Sequence, residues 1–327
     1  MRTQPQRSQS AGDWRGVEVV SPKVLRGWQL PQSVNVSEGG RRGRALVVAG
    51  SSQMPGAASL ASTAALRAGA AAVHIATVQS IATAVGLAVP ESRVSAVPET
   101  EASGIDPLAA GDLAELANSC QATLIGPGLM DPQALQQCLA GLLPRLTETA
   151  LILDGEAILA VAHCPDELYD LRGPSVLTLN APSLAILMEE PVEAVLKDLA
   201  GTARRASARF LSVIVVKGAE SVIADTEGRA WRTRGGPAGF ASSGPTGVLS
   251  GIITGIAARG ADLAQAAVWG TFLHSTAAEK LSAKTGPMGF LTHELLAEIP
   301  PLMAELSRPP GPDRYGADAP RGRRRRA

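Results

Sequence analysis

The sequence predicts an α/β protein, a mostly parallel central sheet with helices on both faces. Short continuous runs of Val, Ile and Leu bounded by turn residues suit strands covered on both sides. These runs alternate with longer helical stretches, the pattern of strands joined by crossover helices. The chain has 327 residues, 45% of them hydrophobic and 18% charged, which gives enough apolar surface for a large core without disulfide or metal staples. One domain is expected over about 43–307. Before it lies an extension, 1–42, with at least 1–16 disordered; after it comes a disordered, Arg-rich tail, 308–327.

The elements follow in order. RALVVAG (44–50) is a strand ending in glycine. PGAASLASTAALRAGA (55–70) opens with Pro and closes at Gly69, the start and stop signals of a helix. AAVHIATV (71–78), ATLIGPG (122–128), ALILDGE (150–156), SVLTLN (175–180) and SVIVVKG (212–218) read as further strands. PQALQQCLAGLLPRL, EAILAVAHC and VEAVLKDLAGTARRASARFL are the helical patterns between them. SVIADTEG and RAWRTRG (221–235) form an antiparallel extension about a turn, and everything from 246 onward is helical.

Thirty Lys and Arg balance thirty Asp and Glu. Residues 1–16 carry a net +2 and residues 308–327 a net +5, so the body between them sums to −7. An acidic body is no default nucleic-acid surface, and the tail lacks the interleaved aromatics of one. No apolar run reaches the roughly 18 residues of a membrane span, and the first residues have no apolar stretch of a secretory signal. A cytoplasmic protein with no membrane and no specific nucleic-acid partner is expected. Cys120, Cys138 and Cys164 are far apart with no CxxC pairing, which indicates reduced thiols and no structural zinc.

In an open α/β sheet ligands bind beyond the carboxyl ends of the strands. Those ends here are GSSQMPGAA, Gly126-Pro127-Gly128, Asp154-Gly155-Glu156, Asn180-Ala181-Pro182 and Lys217-Gly218-Ala219-Glu220-Ser221. A glycine-rich stretch, 235–255, then runs into a helix. Small residues let backbone approach a ligand, and helix starts attract phosphate, so a nucleotide site is indicated. No P-loop or GxGxxG fingerprint is present, which excludes a Walker-type NTPase and an ordinary dinucleotide dehydrogenase.

The ordered set ALVVAGSSQMPGAASLASTAALRAGA, LIGPGL, LILDGEA, VLTLNAPSLAILM, IVVKGAESVIADTEGRAW, GVLSGIITGIAARGADLAQAAVWGTFLHSTAAEKL and GFLTHELLAEIP resembles the ADP/ATP-dependent NAD(P)H-hydrate dehydratases. The resemblance runs from about Gly43 to Leu306. It implies a ribokinase-like fold and a carbon–oxygen lyase that repairs hydrated NADH or NADPH: ADP or ATP, with Mg²⁺, phosphorylates the ring hydroxyl, and elimination of phosphate restores the double bond. It also implies a homo-oligomer, with a tetramer among the options if the Ala-rich helices pack between copies.

Position by position, the resemblance places the hydrate against Ala57 in the PGAA loop, Gly128, Asn180 and Gly247. It places the adenine nucleotide against Lys217, Gly218, Ala219, Glu220, Ser221 and Thr246. Asp154 and Glu156 match the acids of the family's DADAL segment, although acids at a helix start also serve as caps. Lys217 taken alone has the alternative reading of a solvated strand-end lysine. His274 reads as a packed helix histidine, and His74, His163 and His293 as structural or exposed. No metal ligand is nominated.

Two departures follow from the same alignment. Ser183 stands where the family's HPGE-like segment has Glu. Gly247 stands where its GTGD or GSGD loop, followed by VLAG, has the Asp that takes the proton from the attacking hydroxyl. Pro245 also removes an N–H from that loop. No catalytic residue is therefore nominated, and a non-catalytic paralogue that binds adenine or nicotinamide nucleotide, as a sensor or partner subunit, is the alternative function. A small-molecule kinase of the same fold would need the same Asp. If that alternative holds, Gly247→Asp combined with Pro245→Ser is expected to raise hydrate dehydration.

Overall fold

A computed structural model describes residues 14–31, 43–162, 174–234, 236 and 247–307. Thr246, Pro245, His163, Cys164, residues 1–13 and the tail 308–327 lie outside the described residues; residues 14–16, expected to be disordered, are ordered, with Arg204 donating to the Gly16 carbonyl at 2.6 Å.

Among the described residues ten strands form one sheet. They are β1 (Val17–Val19), β2 (Arg44–Val48), β3 (Ala72–Val78), β4 (Arg93–Val97), β5 (Ala122–Ile125), β6 (Ala150–Asp154), β7 (Ser175–Asn180), β8 (Val213–Lys217), β9 (Glu220–Ala224) and β10 (Ala230–Arg234). Their order is β1-β10-β9-β8-β7-β6-β5-β2-β3-β4. Neighbours are parallel except β9, which runs antiparallel to both β8 and β10, as the turn between the last two predicted strands required. The chain moves outward from β2 through β3 to β4, then restarts on the other side of β2 at β5. That reversal is the point at which doubly wound sheets open a crevice.

The helices form two layers, one on each face of the sheet. On one face α2 (Pro55–Arg67) packs against α10 (Val248–Ala258), which packs against α11 (Leu263–Thr285), which packs against α12 (Leu295–Ser307). On the other lie α4 (Ala110–Asn118), α5 (Pro132–Leu142), α6 (Glu156–Ala162), α7 (Ala181–Met188) and α9 (Leu199–Phe210). The short α3 (Ala82–Ala88) joins β3 to β4, and α8 (Val192–Lys197) follows α7. The long predicted helix of 192–211 is broken at Asp198, whose side chain caps α9 by accepting from Gly201 N at 3.0 Å.

Three expectations need correction. The domain does not begin at 43: β1 pairs with β10, and α1 (Pro22–Gly27) buries Leu25 completely. β4 is an edge strand that the apolar pattern missed, because only Val97 of its five residues is buried. The Ala-rich face of α2 is consumed inside the chain: Ala57, Ala58, Ala61, Ala64 and Ala65 are all buried. Gly251 and Gly255 of α10 sit so close to α2 that a Cβ on either would overlap the carbonyl oxygen of Ala61 or Ala65. This seam of small residues carries the start of α10 to the carboxyl ends of β2, β5 and β6.

The first described segment is held at the far edge by aromatic contacts. Trp28 stacks on Trp231 of β10 with ring centroids 5.7 Å apart. Trp269 of α11, fully buried, donates Nε1–H to the Trp28 carbonyl at 2.8 Å. Trp231 donates to Glu18 at 3.1 Å, and the Arg232 guanidinium lies 4.9 Å from the Trp14 ring centroid. Cys120 and Cys138 are buried free thiols, as the predicted reduced state requires, and burial pushes Cys138 up to about 11.

Candidate functional site

The carboxyl ends of β2, β5, β6, β7 and β8 gather the predicted residues along one edge. β5 ends in Gly126-Pro127-Gly128, all buried. Gly126 takes φ +133° and lies against the backbone of Asp154 so closely that a Cβ would overlap the Asp154 carbonyl oxygen. Only glycine satisfies both conditions. Its amide donates to Val48 O at 3.1 Å, and Gly50 donates to Pro127 O at 2.8 Å, so the loops after β2 and β5 are tied together. A Cβ on Gly128 would stand 2.5 Å from that of Ala57 in the first turn of α2, which puts these two predicted hydrate contacts side by side.

Gly247 is the N-cap of α10, with φ 68° and ψ 10°. A Cβ at this position would meet the Pro127 ring at 2.6 Å and Ala61 at 3.1 Å. The backbone is left-handed as well, so a side chain here is strained on two counts. The expected gain from Gly247→Asp does not survive this geometry, since the carboxylate would have to displace Pro127. Gly247 also has no side chain with which to cap the first turn of α10, and its helix start faces the crevice.

The charged centre of the edge is Asp154. This last residue of β6 accepts from Lys217 Nζ at 2.7 Å and from Gly155 N at 3.0 Å on Oδ1. On Oδ2 it accepts from Ser250 Oγ at 2.8 Å. Ser250 Oγ also lies 3.0 Å from the Gly247 carbonyl oxygen. Asp154 is therefore one hydroxyl away from the backbone of position 247. Its side chain is 7% exposed and that of Lys217 is 38% exposed, so the ammonium forms the outer cover of a buried carboxylate. Burial pushes the Asp154 carboxyl upward, but the Lys217 charge and the hydrogen bonds from Lys217, Ser250 and Thr178 hold it below its ordinary range. His274 of α11 is half-buried beside the pair. Burial first, then the Lys217 charge, push its imidazole down to about 3.

The structure brings Ala57, Gly128, Gly247, Lys217 and Asp154 together. Asn180, which pairs with Lys217 across β7 and β8, belongs to the same edge, but its side-chain oxygen caps α7 by accepting from Ser183 N at 2.8 Å. Gly218 and Ala219 form the exposed turn between β8 and β9, while Glu220 is engaged by Arg232 at 3.0 Å and Ser221 is buried in β9 opposite Thr233. Ser250 is the residue that sequence reasoning passed over, visible only as one more small residue at a helix start. His274, read from the sequence as a packed helix histidine, stands on α11 where that helix meets β8. A cavity of about 210 Å³ opens between Asp225, Arg229, Asp262 and the residues preceding β7 and β8. It lies at the amino ends of those strands, so it is remote from this chemistry.

Among the described residues no group of three or more His, Cys, Asp or Glu is arranged to hold a metal. No described helix is long and apolar enough to cross a membrane.

The chain matches the model of a family described as NAD(P)H-hydrate dehydratase over residues 45–301. It is 37% identical over 297 residues to an ADP-dependent (S)-NAD(P)H-hydrate dehydratase of Xanthomonas campestris, covering 89% of this chain and 98% of that protein. It is 34% identical over 271 residues to a bifunctional NAD(P)H-hydrate repair enzyme of Thermofilum pendens, of which it spans only 51%. Among solved structures, the ADP/ATP-dependent NAD(P)H-hydrate dehydratase of Bacillus subtilis co-crystallised with ATP/Mg²⁺ superposes with TM-score 0.73 at 26% identity, over 89% of this chain and 99% of that one. A ribokinase-like superfamily protein of Enterococcus faecalis shares the fold, with TM-score 0.77 at 24% identity over 92% of this chain and 100% of that one.

Proposed function

The chain belongs to the NAD(P)H-hydrate dehydratase family, and from that membership we propose that it returns hydrated NADH or NADPH to the reduced dinucleotide, with ADP or ATP as phosphoryl donor. The observation that carries this reading is the convergence of Ala57, Gly128, Gly247 and Lys217 on one edge of the sheet, at the reversal of strand order.

The parts have distinct duties. The tied glycine loops after β2 and β5 offer backbone to the hydrate at close range. The start of α10 supplies the positive end of a helix dipole, and Lys217 supplies a partly exposed ammonium; together they suit the phosphates of the donor. Gly218 and Ala219 in the adjoining turn leave room for the adenosine. Phosphoryl transfer is largely positioning plus neutralisation of charge, and these groups provide both. Mg²⁺, implied by the family resemblance, would be held through the nucleotide phosphates, while the chain's own residues bind and orient the two substrates. The homo-oligomer implied by the family resemblance remains part of this proposal, with its contacts placed elsewhere than on the Ala face of α2.

The test is an assay of the full chain with NADPH hydrate or NADH hydrate, Mg²⁺ and either ADP or ATP. Recovery of reduced-nicotinamide absorbance supports the reading. Thermal stabilisation by nucleotide with no recovery would move the chain to the binding-only alternative that Gly247 raises.

A further inference from the structure

Phosphorylating a hydroxyl needs a group to take its proton, and glycine at 247 has none. Resting on the dehydratase reading above, we propose that Asp154 is that proton acceptor and that Lys217 is a gate over it, drawn aside by the phosphate of the bound nucleotide.

The geometry leads there in three steps. First, Asp154 stands where an acid is needed: Ser250 bridges its Oδ2 and the carbonyl of Gly247 at 2.8 and 3.0 Å. Second, the two oxygens of Asp154 are covered differently. Ser250 is completely buried on α10 and fixes Oδ2 from within, whereas Oδ1 is shielded by a lysine whose side chain is more than one-third exposed. Third, that lysine stands on the same edge as the helix start that attracts phosphate. A phosphate group competes with one carboxylate for the ammonium, and when the ammonium moves, Oδ1 is both opened and stripped of its compensating charge.

The charged environment makes the exchange consequential. Lys217 from β8 is the charged neighbour acting on Asp154. His274 from α11 is held neutral, and Ser250 from α10 and Thr178 from β7 contribute hydroxyls. With Lys217 in place Asp154 binds protons poorly and is a weak base. With Lys217 on phosphate, burial dominates and raises its proton affinity toward the range useful for catalysis. The base is thereby activated by arrival of the donor.

In the transfer step the hydroxyl oxygen of the hydrate attacks the terminal phosphorus. The new O–P bond forms as the bond to the bridging oxygen breaks, and its electron pair leaves with AMP from ADP, or ADP from ATP. The hydroxyl proton passes to Asp154 Oδ1. In the elimination, the C–O pair leaves with the phosphate. A ring C–H proton is lost to water, its pair forms the double bond, and Asp154 returns its proton to the departing phosphate.

Asp154→Asn in the full chain is the first test. A fall of about 10²–10⁴-fold in kcat, with ADP bound at least as tightly as by the parent because its phosphate no longer competes for Lys217, is expected for loss of a base. A fall in kcat matched by an equal loss of ADP affinity would reduce Asp154 to a positioner of Lys217 and overturn the proposal. So would Asp154→Asn turning over within threefold of the parent, or Glu156→Gln causing the large loss in its place. A second measurement needs no variant that folds poorly. Carboxyl-labelled aspartate is followed by NMR in the unaltered chain, with Asp154→Asn used only to identify the signal. A non-hydrolysable ATP analogue should raise the pH at which Asp154 protonates, and an unmoved titration overturns the gate. A parent chain that binds ADP without turnover overturns Asp154 as base and leaves the nucleotide site standing. A chain with neither property removes the dehydratase reading as well.

Discussion

The two ends of this molecule that matter most are built from opposite materials. At the carboxyl edge of the central strands, contact is made by glycine and alanine: Gly126 on Asp154, Gly128 on Ala57, Gly247 on Pro127, and Gly251 and Gly255 on α2. At the outer edge, where β1 and α1 dock on β10 and α11, the four tryptophans of the chain gather. Small residues bring backbone to backbone and so place dipoles and amides where a ligand can use them. Large rings hold by buried area, with a hydrogen bond from each of Trp231 and Trp269. The first arrangement serves recognition and tolerates no added atom; the second serves anchorage and is sensitive to lost volume.

That contrast can be broken by substitution. Trp269→Ala should cost about 3–5 kcal/mol in chemical denaturation, the usual range for a fully buried aromatic, while ADP affinity in the folded fraction stays unchanged. A weakened affinity would show that the anchor reaches the site. Gly126→Ala should cost about 2–3 kcal/mol through overpacking and a disfavoured backbone, and here nucleotide affinity should fall too. An unchanged affinity would separate the glycine loop from recognition. Gly247→Asp should cost about 1–2 kcal/mol by forcing the Pro127 ring aside, and should leave turnover no higher than in the parent. A gain in turnover would show that the crevice accepts the missing carboxylate after all.

A further effect is one of pH. His274 is pushed down to about 3 in the folded chain, whereas an unfolded imidazole protonates near 6.5. The unfolded state therefore binds the extra proton between those values. Stability contributed by neutral His274 is complete above about 6.5 and is lost as pH falls toward 3, with a slope of at most about 1.4 kcal/mol per pH unit. His274→Gln should flatten that slope in thermal melts between pH 6.5 and 4. Equal slopes in both proteins would detach His274 from the Asp154–Lys217 pair.

Most of this architecture was legible in the sequence, because continuous apolar runs ending in glycine or lysine identify buried parallel strands and their useful ends. What escaped was short or solvent-facing. β1 has no buried residue among its three, and β4 has one of five, so neither interrupts the polar background as a core strand does. The site was legible as a set of strand ends, not as a set of pairs. Lys217 and Asp154 are 63 positions apart and Ser250 lies 96 beyond Asp154; only the strand order brings them together. Likewise the conformation of Gly247, on which the fate of the Asp substitution turns, is set by Pro127 and Ala61 and not by its chain neighbours.

The pairing of β1 with β10 also orders events in time. Val17 meets Ala230, and the Trp28 carbonyl meets Trp269. At a synthesis rate of about 5–20 residues per second, the first strand to emerge waits roughly ten to forty seconds for its neighbour. During that interval two tryptophans of the nascent chain have no docking surface. The clasp that closes the sheet is thus made long before it is fastened, and a stall in translation before Trp269 would strand it open.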